Sequence, residues 1–444
     1  MKPTKNESDC GSELVPFLCV LLFAGCISCD VSGPEGQGPK EDAAVAKTRM
    51  IPTTATMPVT AAIPTTATVQ AANSAFVKAA RNPATPEDQR ITIQRIMRSH
   101  VGRPTPEETF LALKASDDLA LTVQQGFHTP ITNVSVLAEF TNLKYLSLRG
   151  NSIRDISPLA ELHNLESVGL ADNPISDLSP LASLTSLTSV GVRRSQIVDL
   201  TPLASLSRLE YLDLAYNQIT DISALSDLQE LTEVFLDHNA IRDLSSMSSK
   251  ERLFRLKADS NQIEDLSQLS GLPALWDFHA NDNKITQLFD ASEFTVLDEI
   301  FLRNNSISLL DPLAGCGSQS FRGVTLDLSG NTELNLFGLK GIPGLGKLIL
   351  ANCELTDIGP LKRLTSLNRL YLSGNSIRDL RPLIGLTNLV SLDLANNDIS
   401  DIEPLVRLAK DSKRPRFGII LSGNPITDRS QLRKLRRYAD EVVF

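Results

Sequence analysis

From about Leu143 onward, large apolar residues alternate with polar ones in short bursts, such as Leu146 and Leu148, Leu212 and Leu214, or Leu392 and Leu394. A period of two marks a strand with one buried face. Each burst runs into an Asn, and the bursts themselves recur: Asn151, Asn173, Ser195, Asn217, Asn239, Asn261, Asn283 and Asn305 stand at strict 22-residue spacing. Asn331, Cys353, Asn375, Asn397 and Asn424 continue the series, with one step of 26 residues (305 to 331) and one of 27 (397 to 424). A unit this short cannot bury its own leucines. Neighbours must stack, each adding one strand to a parallel sheet and one layer to a continuous core. Thirteen such turns at about 4.8 Å per strand give an arc roughly 60 Å long, with the extra residues of the two long steps bulging out as loops.

Two polar columns accompany the strands. The anchor Asn stands where the chain leaves the strand, and a buried carboxamide there can pair backbone groups that the turn leaves unsatisfied. Four residues later come Asp155, Asp177, Asp199, Asp221, Asp243 and Asp265, resuming at Asp357, Asp379, Asp401 and Asp428. Stacked carboxylates raise the idea of a calcium ladder. Capping is favoured over metal binding, because an Asp just before an I-S-P-L turn can accept backbone N–H bonds from the short helical segment that follows. Pro158, Pro180, Pro202, Pro312, Pro360, Pro382 and Pro404 occupy an early position of that segment, where a missing N–H costs little. The ends read as lids. Glu87–Ser99 and Pro106–Ala115 are amphipathic or helix-like segments before the first turn; Ser430–Tyr438 is a helix and Val442–Phe444 an apolar strand after the last.

The first clear phrase, LKYLSLRGNSIRDISPLAELHN, resembles the leucine-rich-repeat pattern LxxLxLxxNxI. In its 22-residue length and its DISPLAxLTxL wording it is similar to the internalin-type bacterial subclass, which also tolerates Cys at the Asn position. The resemblance implies an α/β repeat solenoid: a leucine-rich-repeat arc with a parallel concave sheet, short helical or 3-10 convex turns, a helical N-terminal cap and a helix-strand C-terminal cap. It also implies that the residues six, four and two positions before each anchor face outward on the concave side and select a protein ligand. Early turns place small groups there, Ser167, Gly169, Ala171, Ser189 and Gly191, and late turns Ser391, Asp393 and Ala395. The middle turns instead present Tyr211, Asp213, Glu233, Phe235, Asp237, Arg255, Lys257, Asp259, Asp277, His279, Glu299, Phe301 and Arg303. Aromatics among mixed charges on a water-facing surface are what a protein-binding hot spot requires. Core placement of Phe235 and Phe301 is the alternative, but Val234, Leu236, Ile300 and Leu302 already take the inward positions. Tyr216, His238 and Trp276 border this patch. Across the same turns the convex Pro gives way to Ala224, Ser246, Gln268 and Asp290.

Composition narrows the partners. The formal charge of −9 and the scarcity of aromatics, one Trp and five Tyr, argue against nucleic-acid binding. Between Arg407 and Glu441 ten Lys/Arg face four Asp/Glu, which makes the C-terminal end a separate basic region. Its simplest reading is the solvated face of the capping helix. Four of the six cysteines, Cys10, Cys19, Cys26 and Cys29, fall in the first thirty residues, so they form no disulfide framework, and no metal-ligand spacing appears. No cofactor is expected.

Residues Leu14 to Cys26 (LVPFLCVLLFAGC) are an apolar run too short for a membrane span, which needs about 20 residues, and fit an export signal. Ala24-Gly25 before Cys26 resembles a bacterial lipobox, which implies cleavage before Cys26, acylation of its thiol, and, with Ile27 following, the outer membrane or cell surface. A plain cleaved signal peptide, with a secreted or periplasmic product, is the alternative. The expected organisation is therefore 1–25 signal peptide, 26–86 disordered Pro/Thr/Ala-rich tether, 87–142 N-terminal cap and atypical first repeat, 143–426 repeats, and 427–444 C-terminal cap. No nucleophile–base pair or phosphate-cradling loop is visible; Asp277 and His279 on an open sheet lack an oriented third group, and the Gly-rich stretch Leu336–Leu348 lacks G-K-[ST]. The expectation is a membrane-tethered, non-enzymatic binder of a protein ligand. A self-assembling surface coat and a phosphatase-regulator-like scaffold are the rival readings.

Overall fold

A computed structural model describes residues 65–99, 105–122, 129–320, 323–342, 344–412 and 417–444. The chain divides into residues 1–61, which lie outside the described residues and include Cys26 and the segment expected to be an export signal, and a unit from Ala62 to Phe444. That unit is built on one sheet of fifteen parallel strands in strict chain order. The strands are β1 (Asp118–Ala120), β2 (Tyr145–Ser147), β3 (Ser167–Gly169), β4 (Ser189–Gly191), β5 (Tyr211–Asp213), β6 (Glu233–Phe235), β7 (Arg255–Lys257) and β8 (Asp277–His279). They continue as β9 (Glu299–Phe301), β10 (Val324–Asp327), β11 (Leu345–Ile349), β12 (Arg369–Tyr371), β13 (Ser391–Asp393), β14 (Gly418–Ile420) and β15 (Glu441–Val443). From β5 to β9 register is kept residue for residue, so Leu212, Val234, Leu256, Phe278 and Ile300 stack in one inward row. All five are buried.

The Asn column is a hydrogen-bond ladder between turns. Asn173 Nδ2 donates to Leu148 O of the preceding turn and to Leu170 O of its own, both at 2.9 Å, while its Oδ1 accepts from Ile153 N at 3.0 Å. The set recurs at Asn239, Asn305 and Asn397. Cys353 makes half of it, its Sγ donating to Leu328 O at 3.3 Å. Ser195 is too short: its Oγ is buried without a partner, and Ile175 N turns to Asn173 O instead. The Asp column caps the convex segments, as in Ser157 N to Asp155 Oδ1 and Ser179 N to Asp177 Oδ1, each 2.8 Å. Pro158, Pro180, Pro202, Pro312, Pro360 and Pro382 open 3-10 helices.

Two features differ from the sequence reading. The segment 26–86 is not tether to its end: α1 (Thr65–Asn73) and α2 (Ala75–Arg81) are helices, and Ala71, Phe76 and Val77 are fully buried. Few large apolar residues suffice there because Phe76 packs with Phe110 of α4 (Pro106–Ala115) and with Phe140, while Glu139 accepts from the N–H groups of Ala75 and Phe76 at the start of α2. Between these, α3 (Glu87–Ser99) sends the buried Arg95 to Asn151 Oδ1 (3.2 Å) and Thr129 O (2.6 Å), locking the cap onto the first anchor. The 27-residue step is the second difference. Its extra residues lengthen the convex segment into an α-helix, α5 (Glu403–Asp411), with Pro404 in its first turn. Within the segment 87–142, read as an N-terminal cap and an atypical first repeat, β1 pairs with β2 and extends the sheet N-terminally. The 26-residue step is accommodated by a glycine turn. Gly317, at φ 60°, has Leu297 O 2.7 Å from where a Cβ would lie. A shift in the register of β10 on β11 follows at Val324/Thr325. The C-terminal lid is α6 (Arg429–Leu435) followed by β15.

Candidate functional site: the concave face of the middle turns

Strand alternation sends Tyr211, Asp213, Glu233, Phe235, Arg255, Lys257, His279, Glu299 and Phe301 outward, half-buried among one another, with Asp277 more deeply covered. Because the register is exact, each row crosses the strands laterally. Tyr211 and Phe235 lie ring to ring at 5.5 Å, and His279 lies 4.4 Å from Phe301. Between these two aromatic pairs sits a charge network. Arg255 bridges Glu233 (2.7 Å) and Asp277 (2.8 Å), Lys257 stands 3.9 Å from Asp277, and His279 Nε2 approaches Asp277 Oδ1 to 2.8 Å. His279 Nδ1 lies 3.8 Å from Asp259.

The electrostatics follow from this packing. Burial tends to raise the Asp277 carboxyl, but hydrogen bonds from His279 and Arg255 outweigh it and hold Asp277 below the ordinary Asp value. Burial likewise opposes the charge on His279, yet Asp259 and Asp277 raise it above the ordinary His value. The sequence reading left Asp277 and His279 without a third group; Asp259 supplies one. An imidazole held between two carboxylates is favoured as a cation rather than as a free base.

The row two positions before the anchor is zipped by backbone bonds. Asp237 Oδ1 accepts Asp259 N (3.0 Å), Asp259 Oδ1 accepts Asn281 N (2.7 Å), and Asn281 Oδ1 accepts Arg303 N (2.8 Å). Burial, reinforced by the neighbouring Asp259 charge, pushes Asp237 up to about 6. Asp213 is raised by burial too and accepts Ala215 N at 3.1 Å. Arg303 is exposed at the end of this row. On the strand-exit edge, Tyr216 (φ 59°) and His238 (φ 54°) stack at 4.0 Å, with the guanidinium groups of Arg193 and Arg194 4.6 and 4.9 Å from the Tyr216 ring centre. The early turns differ: a side chain added at Gly191 would meet nothing within 4 Å.

Two features escaped the sequence reading. Lys250 stands where neighbouring turns have Leu228 and Leu272; it is fully buried, and Nζ donates to Leu225 O, Ser226 O and Leu228 O. Burial lowers its pKa, and the carbonyl ends of the preceding convex turn stabilise its charge. A single Lys in an otherwise apolar column was the available signal. The second is a groove of about 380 Å³ on the strand-entry side of β8–β13, lined among others by Trp276, Asp298, Glu299, Thr325, Lys347 and Arg369. Only Glu299 of these belongs to the concave set named from the sequence. Trp276 was placed at the border of that set; Thr325, Lys347 and Arg369 stand at the same outward offset in later turns, and Asp298 lies one position before it.

The architecture is that of a leucine-rich-repeat solenoid, a protein class that typically serves as a binding scaffold. A family model for leucine-rich repeats in two copies matches residues 141–183, 207–249, 343–385 and 365–407. The chain is similar to an internalin (inlF) of Listeria monocytogenes, with 28% identity over 81% of this chain and 95% of the other and a TM-score of 0.61. It shares its fold with a leucine-rich-repeat protein of Leptospira interrogans (20% identity, 78% and 94% covered, TM-score 0.62). The same holds for the plant peptide hormone receptor RGFR1, solved in complex with RGF2 (19% identity, 75% and 59% covered, TM-score 0.55). No protein of curated function matches the sequence. No described helix is long and apolar enough to cross a membrane.

Proposed function

We propose that the chain is a surface-tethered binding protein that takes a protein ligand on the concave face of β5–β9. The carrying observation is the pairing of outward aromatics, Tyr211 with Phe235 and His279 with Phe301, on either side of the Arg255–Asp277 network. Aromatic groups next to a fixed pattern of charge supply hot-spot energy and register together. RGFR1, which shares the fold, was solved in complex with RGF2, and this is consistent with a binding role. Paired carboxylates and cations leave little charge for non-specific anion binding, so no nucleic-acid partner is assigned. Catalysis is not part of the proposal.

The test is capture of a cross-linked partner by the wild-type chain and by Phe235→Ala/Phe301→Ala. Binding at least about 100-fold weaker is expected from the loss of two hot-spot side chains; equal capture would move the site elsewhere. The tether reading places a lipid on Cys26 and the protein on the outer membrane or cell surface. Radiolabelled palmitate should enter the wild-type chain and not Cys26→Ala, and equal labelling of both would overturn it.

A further inference from the structure

The groove on the strand-entry side divides by charge. One flank carries Asp298 and Glu299 beside the Trp276 ring; the other carries Lys347 and Arg369. Glu299, Thr325, Lys347 and Arg369 stand in register on β9, β10, β11 and β12. Glu299 and Lys347 are thus two strands apart, roughly 10 Å at the spacing of a parallel sheet, with the small Thr325 and nearby Gly323 and Gly346 as floor. At that separation they are not an ion pair. Asp298 is the telling member: it is only 8% exposed, and its Oδ1 has no hydrogen-bond partner. A buried carboxylate oxygen left unpaired costs free energy that an incoming donor would recover.

We propose that this groove binds an extended segment of a protein partner, with a Lys or Arg side chain set against Asp298, Glu299 and the face of Trp276, and an Asp or Glu set against Lys347 and Arg369. In the extended polyproline II conformation three residues make one turn and span about 9 Å, which returns side chains to the same face, so the two charges belong about three positions apart. The partner's cation meets two carboxylates and an indole, and its carboxylate meets two cations. This rests on the reading that the concave side takes a protein ligand, and it extends that surface from β9 to β12.

The chain's single Trp lies in the groove, so its fluorescence reports occupancy directly. The probe is the peptide acetyl-Arg-Ala-Ala-Glu-amide, titrated against the full chain. A saturable change in emission is expected, weakened about tenfold when the peptide's Arg becomes Gln or its Glu becomes Gln, since each replacement removes a charge-assisted contact. Asp298→Asn should abolish the preference for Arg over Gln, and the half-buried Lys347→Gln the preference for Glu over Gln. No saturable change, or equal affinity for all three peptides, overturns the groove. The partner capture by the Phe235→Ala/Phe301→Ala pair is scored separately. Captured partner whose affinity is unaltered by Asp298→Asn and Lys347→Gln would leave the concave-face reading standing and remove the groove from it.

Discussion

The turns around β3 and β4 and those around β6 to β8 share one backbone and have opposite surfaces. In the first, Ser167, Gly169, Ser189 and Gly191 leave the sheet nearly bare, and the convex side is a regular Pro-opened 3-10 helix. In the second, Phe235, Arg255, Lys257 and His279 form a continuous lateral network, while the convex side has lost its Pro and its interior takes Phe278, Phe289 and Phe294 in ring contact. Core energetics fix the repeat in both. Outward positions take no part in packing the leucine core, so they are free to differ, and the middle turns use that freedom to build a charged and aromatic surface.

The largest effect that would sharpen this contrast is on binding. Replacing Phe235 and Phe301 by Ala should remove partner capture, whereas Ser189→Ala in the bare turns should leave it unchanged; equal losses would erase the distinction. Next comes stability. Arg255 holds Glu233 and the nearly buried Asp277. Arg255→Ala should cost about 2 kcal/mol by chemical denaturation, because it strands a covered carboxylate, with partial exposure of the Arg keeping the loss below that of a fully buried pair. An unchanged midpoint would show that the network is ornamental.

A smaller change should strengthen the bare region. Ser195→Asn restores the missing rung of the ladder to Ile175 N–H and should add about 1 kcal/mol, read as a raised unfolding midpoint. The smallest effect concerns pH. Asp237 titrates near 6 in the fold and near its ordinary 3.8 when unfolded. Between those values the folded chain holds a proton that the unfolded chain has released, so Asp237 makes stability fall as pH rises through that window. Asp237→Asn should therefore flatten the melting curve between pH 4 and 6 and raise the melting temperature at pH 7.5, with no gain at pH 4. A gain that is the same at all three would assign the effect to something other than titration.

The solenoid was legible because its determinants repeat. Leu, Asn, Asp and Pro recur at the period of the turn, and the Asn copies repeat one set of inter-turn hydrogen bonds from which Ser195 and Cys353 depart. The caps were legible in part. Periodicity marked α3 and α4, but α1 and α2 lie in an Ala/Thr-rich stretch whose burial depends on Phe76 meeting Phe110 and Phe140 across the chain. Outward residues could be placed from the alternation of the strands, yet their pairing could not, since it needs the lateral register of β6 on β7 and β8. The groove escaped although Glu299, Thr325, Lys347 and Arg369 fall in the column six positions before the anchors, because Asp298 sits one place outside that column and its unpaired, covered carboxylate shows only once the turns are stacked.

The most direct measurement is site-resolved photocrosslinking on intact cells, with a benzophenone side chain placed at position 235, 301, 191 or 224 in turn. Adducts to one discrete protein from positions 235 and 301, with none from 191 on the bare concave turns or 224 on the convex side, are expected. Adducts from 224 alone, or equal labelling from all four positions, would contradict a ligand site on the middle concave face.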